Sequence, residues 1–95
     1  MAYKLRWSAE SIRNLEEVIN DIQQKWSDKE VRGFKQKLGR QLNLIIRFPT
    51  LFPVSLSNPN LRKAVLSKQT TVFYQITNNT IYLVHIHLNR KNQIE

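Results

Sequence analysis

The chain has 95 residues, 15 Lys and Arg against 7 Asp and Glu, a formal net charge of +8 and no cysteine. That length excludes a second domain, so 1–95 is read as one domain close to the lower limit for burying an adequate core unaided. The missing cysteine excludes disulfides, thiolate metal sites and a cysteine nucleophile, and it suits a reducing cytoplasm. "MAYKLRWSAE" has neither the apolar run nor the cleavage site of a secretory signal, and no uncharged apolar stretch is long enough for a bilayer. A cytoplasmic protein without membrane contact is expected. Ten bases and six acids up to Phe48, and five bases and one acid after it, give +4 in each half. Such a field favours an anionic partner, nucleic acid or acidic protein, and speeds encounter with it.

Tyr3-Lys4-Leu5-Arg6-Trp7 alternates apolar and basic residues, the period of a half-buried strand with Tyr3, Leu5 and Trp7 inward. Ser8 offers a helix N-cap, with Glu10 in the first turn where the helix dipole favours an acid. Ile12, Leu15, Ile19, Ile22 and Trp26 then recur at spacings of three and four, one apolar stripe along a helix of about five turns. Ser27 with Glu30 three residues on forms a capping box opening a second helix. Its stripe is Val31, Phe34, Leu38, Leu42 and Ile45, and Phe48-Pro49 stops it. So short a connection makes the two helices an antiparallel hairpin.

"PTLFPVSLSNPN" holds all three prolines and reads as a connector. Beyond it the period changes to two, with strands at 62–67, 70–77 and 80–88 and a two-residue turn at Asn78-Asn79, where Asn tolerates positive φ. The expected fold class is α+β, in the order β-α-α-β-β-β, with the N-terminal strand and the helical hairpin packed on an antiparallel sheet. The turn sets Thr77 opposite Thr80, and from there Tyr74 faces Leu83, Phe73 faces Val84, Val72 faces His85 and Thr71 faces Ile86. One face then carries Val72, Tyr74, Ile76, Ile81 and Leu83 with His85 and His87. The other carries Phe73, Tyr82, Val84, Ile86 and Leu88. Both are largely apolar, yet one hairpin covers only one of them, so a second chain is expected to complete the sheet.

His85 and His87 stand two apart on one strand, hence on one face, as an acid–base pair would. No third ligand stands at a zinc-site spacing, so no metal is expected, and no glycine-rich phosphate loop calls for a cofactor. Arg62, Lys63 and Lys68 flank the first strand of the meander and Arg90 and Lys91 follow the last. Together they can gather at one rim of the sheet to contact phosphates or carboxylates. The helix bases Arg32, Lys35, Lys37, Arg40 and Arg47 are spread around the second helix and read as its wet side.

"YKLRWSAESIRNLEEVINDI" resembles the opening of ParE/RelE-type toxins: a strand, Trp-Ser, then Ala9 and the helical Asn14-Leu15. "RFPTLFP" looks like that family's phenylalanine-proline segment, and "NLRKAVLSKQTTVFYQITNNTIYLVHIHLNR" resembles its meander, with Arg62, Tyr74 and the His87-Leu88-Asn89-Arg90 ending in matching places. The match spans nearly the whole chain through short motifs in the right order. The resemblance implies the toxin of a type II toxin–antitoxin (plasmid stabilisation) system, neutralised by a cognate antitoxin in a hetero-oligomer. Phe73, Tyr82, Val84 and Ile86 are then the antitoxin-binding candidates. ParE-like members poison DNA gyrase, and Arg62, Lys63, Lys68, His87, Arg90 and Lys91 would form the target surface. RelE-like members cleave mRNA on the ribosome, and for that enzymatic reading His85, His87, Arg62 and Arg90 are the catalytic candidates. Thr71 stands where the RelE-like pattern has an arginine, Ala64 where it has a lysine, and no C-terminal tyrosine is present. Cleavage by this design needs basic groups against the phosphate, so the ParE-like reading is favoured. A degenerate toxin that only binds its antitoxin is the third reading.

Overall fold

The computed structural model describes residues 3–88. Arg90 and Lys91, expected at the target-facing rim, and Asn89 beside them lie outside the described residues. The elements are β1 (Lys4–Trp7), α1 (Ala9–Lys25), α2 (Asp28–Arg47), β2 (Arg62–Val65), β3 (Thr70–Thr77) and β4 (Thr80–Leu88). All six match the expected order and type, and β2 ends two residues early. No described helix is long and apolar enough to cross a membrane.

Local chemistry fixes the helix ends. The Ser8 hydroxyl accepts from the Ser11 N–H at 2.9 Å, supplying one of the acceptors that a helix N-terminus lacks. At the hairpin tip the Glu30 carboxylate accepts from the Ser27 hydroxyl and from its backbone N–H. Those bonds, the hydroxyl first, hold the Glu30 pKa below the usual carboxylate range.

The four strands run in the order β1-β4-β3-β2. β2, β3 and β4 form the expected antiparallel meander, closed at the β3–β4 turn by Asn78 with φ 55°. β1 does not lie against this sheet but joins it, parallel to β4, with Leu5 opposite Ile81 and Trp7 opposite Leu83. Parallel neighbours need a long crossover, and here the helical hairpin, β2 and β3 all lie between the two strands in the chain.

The expected register runs from Thr77↔Thr80 to Tyr74↔Leu83 and then breaks. Phe73 faces His85 rather than Val84, Val72 faces Ile86, and Thr71 faces His87. Val84 is the extra residue of a β-bulge, and every side chain after it moves to the opposite face. Ile86, an expected antitoxin contact, is only 3% exposed and belongs to the core with Val72, Ile81 and Leu83. Leu88 packs against the same core. His85 and His87 go the other way, onto the open face. The bulge thus relieves much of the conflict in the alternating pattern, because residues 83 and 86 can both face inward only across an inserted residue.

α1 is also rotated from its expected stripe. Ser11 and Val18 are buried, with Leu15 and Ile22 packed behind them, whereas Ile12 is 47% and Trp26 65% exposed. Ser11 is small enough for close approach to the sheet, and its hydroxyl donates back to the Ser8 carbonyl at 2.8 Å. A hydrophobic pattern passes over such a residue. α2 presents Val31, Leu38 and Ile45 as expected.

Candidate functional site

The helices cover one face of the sheet, and the register assigns the residues of the other. Residues paired across neighbouring strands share a side. Lys4 and Arg6 of β1, Tyr82, His85 and His87 of β4, Thr71, Phe73 and Gln75 of β3, and Lys63 and Val65 of β2 therefore share the open face. No strand contributes an acid.

At the centre of this face the rings of Phe73 and His85 stack, with centroids 4.6 Å apart and planes 24° from parallel. The pairing is a product of the bulge, which sets the two residues opposite each other. Tyr82 beside them is 38% exposed and Val65 on the edge strand is exposed too. Arg6, opposite Tyr82, and Lys63, opposite Phe73, flank the aromatic strip with positive charge. The arrangement suits a partner with apolar side chains and carboxylates: rings to cover and cations to pair.

The β4 edge is closed in two stages. β1 pairs with it as far as Leu83. Past that point α1 takes over: the Ser8 N–H donates to the Leu83 carbonyl at 3.0 Å and the Ser8 hydroxyl to the Val84 carbonyl at 2.6 Å. Asn14 Oδ1 then accepts the Ile86 N–H at 3.0 Å. The polar groups freed by the bulge are met by side chains of the helix. The role of Asn14 has no hydrophobic signature, and its one signal in the sequence was its place in the Asn-Leu motif of the resemblance. A cleft of about 430 Å³ remains here, lined by Glu10, Asn14 and Glu17 of α1 and by His85 and His87 of β4. Among the described residues no group of three or more His, Cys, Asp or Glu comes together to hold a metal ion.

Arg62 is placed differently from the expectation. It pairs with Tyr74 on the core side of the sheet, and its Nη1 donates to the Phe52 carbonyl at 2.7 Å. The Tyr74 hydroxyl donates to the Pro49 carbonyl, also at 2.7 Å. The Lys63 N–H donates to the Pro53 carbonyl and the Ser55 N–H to the Leu61 carbonyl. Arg62 is thus a clamp on the connector and not part of the open face. Of the remaining expected rim, Lys63 and His87 lie on the open face, and exposed Lys68 sits in the β2–β3 turn toward the His87 end. Phe73 and Tyr82 are accessible on the open face, Val84 is half-buried at the bulge, and Ile86 is buried.

No family model matches the sequence, and no curated protein does. Among solved structures, a chain of the "Chromosomal ParDE TA system from P. aeruginosa" superposes with a TM-score of 0.78. The two share a fold. The superposition covers 90% of this chain and 95% of the ParDE chain at 11% identity. The ParDE fold therefore agrees with the architecture that the resemblance implied, while what this chain's side chains do rests on their own geometry.

Proposed function

We propose that this chain is the ParE-like toxin of a type II toxin–antitoxin pair, acting in the cytoplasm on DNA gyrase and held inactive by a cognate antitoxin. The observation that carries the reading is the fold shared with the ParDE chain over nine-tenths of the molecule. The open face supports it. Phe73 and Tyr82 offer apolar surface between Arg6 and Lys63, with half-buried Val84 at the bulge beside them, a match for an acidic antitoxin segment with apolar anchors. Lys63, Lys68 and His87 are the described residues of the target surface, to which the sequence adds Arg90 and Lys91.

Gyrase is preferred over mRNA cleavage on the placement of the bases. Phosphodiester cleavage needs cations aimed at the charge that develops on the phosphate. Arg62 is committed to the Phe52 carbonyl, Ala64 is in the core, and Thr71 is the uncharged partner of His87. One observation favours the rival, a RelE-like mRNA endonuclease: His85 and His87 share the open face with Lys63. Purified protein free of antitoxin separates the two, assayed in parallel for gyrase supercoiling and for mRNA cuts during cell-free translation. Blocked supercoiling with intact mRNA is expected. Codon-phased cuts with untouched gyrase would replace this reading by the nuclease.

A further inference from the structure

Nine large apolar side chains are exposed among the described residues, and five of them fall between Leu44 and Leu56. Leu44 and Phe48 are one turn apart at the end of α2, and the Leu51 N–H returns to the Phe48 carbonyl at 3.0 Å. Val54 bridges to Arg62, and Leu56 beyond it is fully exposed. The backbone beneath them is tied down: the carbonyls of Pro49, Phe52 and Pro53 accept from Tyr74, Arg62 and Lys63. The fold commits a buried tyrosine and an arginine to fixing this connector while its leucines stay in solvent, which is how a preorganised contact surface is built.

Charge indicates the occupant. The Arg47 guanidinium lies 5.7 Å from the centre of the Phe48 ring, and no Asp or Glu occurs anywhere from Val31 to Leu88. A second copy would set these cations against themselves. Nucleic acid would leave the leucines uncovered, and the surface is a clamped turn, not the long amphipathic helix that lies in a lipid interface. We propose that the shoulder formed by the end of α2 and the connector docks an acidic amphipathic helix of the protein on which the toxin acts. Only the last clause, naming the target as the source, rests on the toxin reading.

The test uses the full chain and a fluorescently labelled synthetic peptide with one leucine face and one glutamate face. Wild-type protein binds, Leu51→Glu/Leu56→Glu binds roughly ten-fold more weakly, and Ile12→Ala, at an exposed position of α1 outside both surfaces, binds like wild type. An unchanged thermal melt shows that the exposed substitutions leave the fold intact. Equal binding by the double variant overturns the proposal, as does equal binding of a peptide with lysine in place of glutamate. So does tighter binding to vesicles of anionic phospholipid than to the peptide. A wild-type dimer that the double variant loses on sedimentation makes a second copy the occupant, and also overturns it. In cells the double variant is expected to lose growth arrest yet still co-purify with the antitoxin, whereas loss of co-purification would reassign the surface to the antitoxin and overturn the choice of target. If wild-type protein causes no arrest the toxin reading fails, and the peptide arm still decides the surface.

Discussion

Tyr74 shows how one side chain serves two parts of the molecule. Its ring is fully buried in the core and its hydroxyl reaches the Pro49 carbonyl, so strand β3 holds the connector from inside. Burial pushes the phenol up to about 12, against the opposing pull of the nearby Arg62 charge. The folded-state value lies above the ordinary 10.0, so stability from the neutral phenol is complete below the ordinary value. It is lost as pH rises from there toward the folded value. Tyr74→Phe is expected to cost about 1 kcal/mol near neutrality through the lost hydrogen bond. It is also expected to flatten the fall in stability at alkaline pH, which urea unfolding on both sides of the ordinary tyrosine pKa measures. An equally steep fall in the variant would place the titrating group elsewhere. The neighbouring Arg62 marks a limit of sequence reading at this scale. The resemblance located an arginine at the start of the strand, but whether it faces target or core depends on the β2–β3 register, which no residue of β2 announces.

Among the elements, β4 decides the most. Its nine residues are apolar apart from Thr80 and the two histidines, so a straight strand is the simplest reading, and that reading is right as far as Leu83. The inserted Val84 is marked by neither glycine nor proline. What betrays it is the pair of α1 side chains that satisfy the displaced backbone. Asn14→Leu leaves the Ile86 N–H without its acceptor and is expected to cost about 1–3 kcal/mol, with amide exchange at Ile86 accelerated. Asn14→Asp keeps an oxygen in place and should keep most of that protection. Ser8→Ala removes the α1 cap and the Val84 carbonyl's partner together, for about 1–2 kcal/mol, read from the urea midpoint. Deleting Val84 tests the bulge directly. Without the inserted residue the ladder runs on unbroken with Phe73 opposite His85 and Val72 opposite Ile86, so the deletion variant is expected to keep Ile86 in the core and to unfold cooperatively. Loss of cooperative unfolding would show that the fold needs the bulge itself, with the Ser8 and Asn14 bonds made to it. Other features were legible in advance because each follows from a local rule: the caps at Ser8 and Ser27, the α2 stripe and the Asn78 turn. β1 was legible as a strand but not as a parallel neighbour of β4, since pairing between chain positions so far apart leaves no local trace.

At the scale of the whole molecule, charge is divided unevenly. Apart from Glu95, every acid lies in α1 or the first turn of α2, and the remainder of the chain is purely basic. Self-repulsion on that side is relieved by counterions, so added salt is expected to raise the melting temperature while slowing association with an acidic partner. The Debye length falls from about 10 Å at 0.1 M to about 3 Å at 1 M. Stopped-flow mixing with the glutamate-faced peptide should therefore show a falling on-rate and a nearly constant off-rate. A salt-independent on-rate would remove the electrostatic argument. The order of the strands carries a different consequence. Lys4 pairs with Thr80 and Trp7 with Leu83, so β1 has no strand partner until β4 has been synthesised. A chain interrupted before β4 leaves that strand idle and the open face unbuilt. The open face therefore exists only where β1 and β4, which lie far apart in the chain, have met.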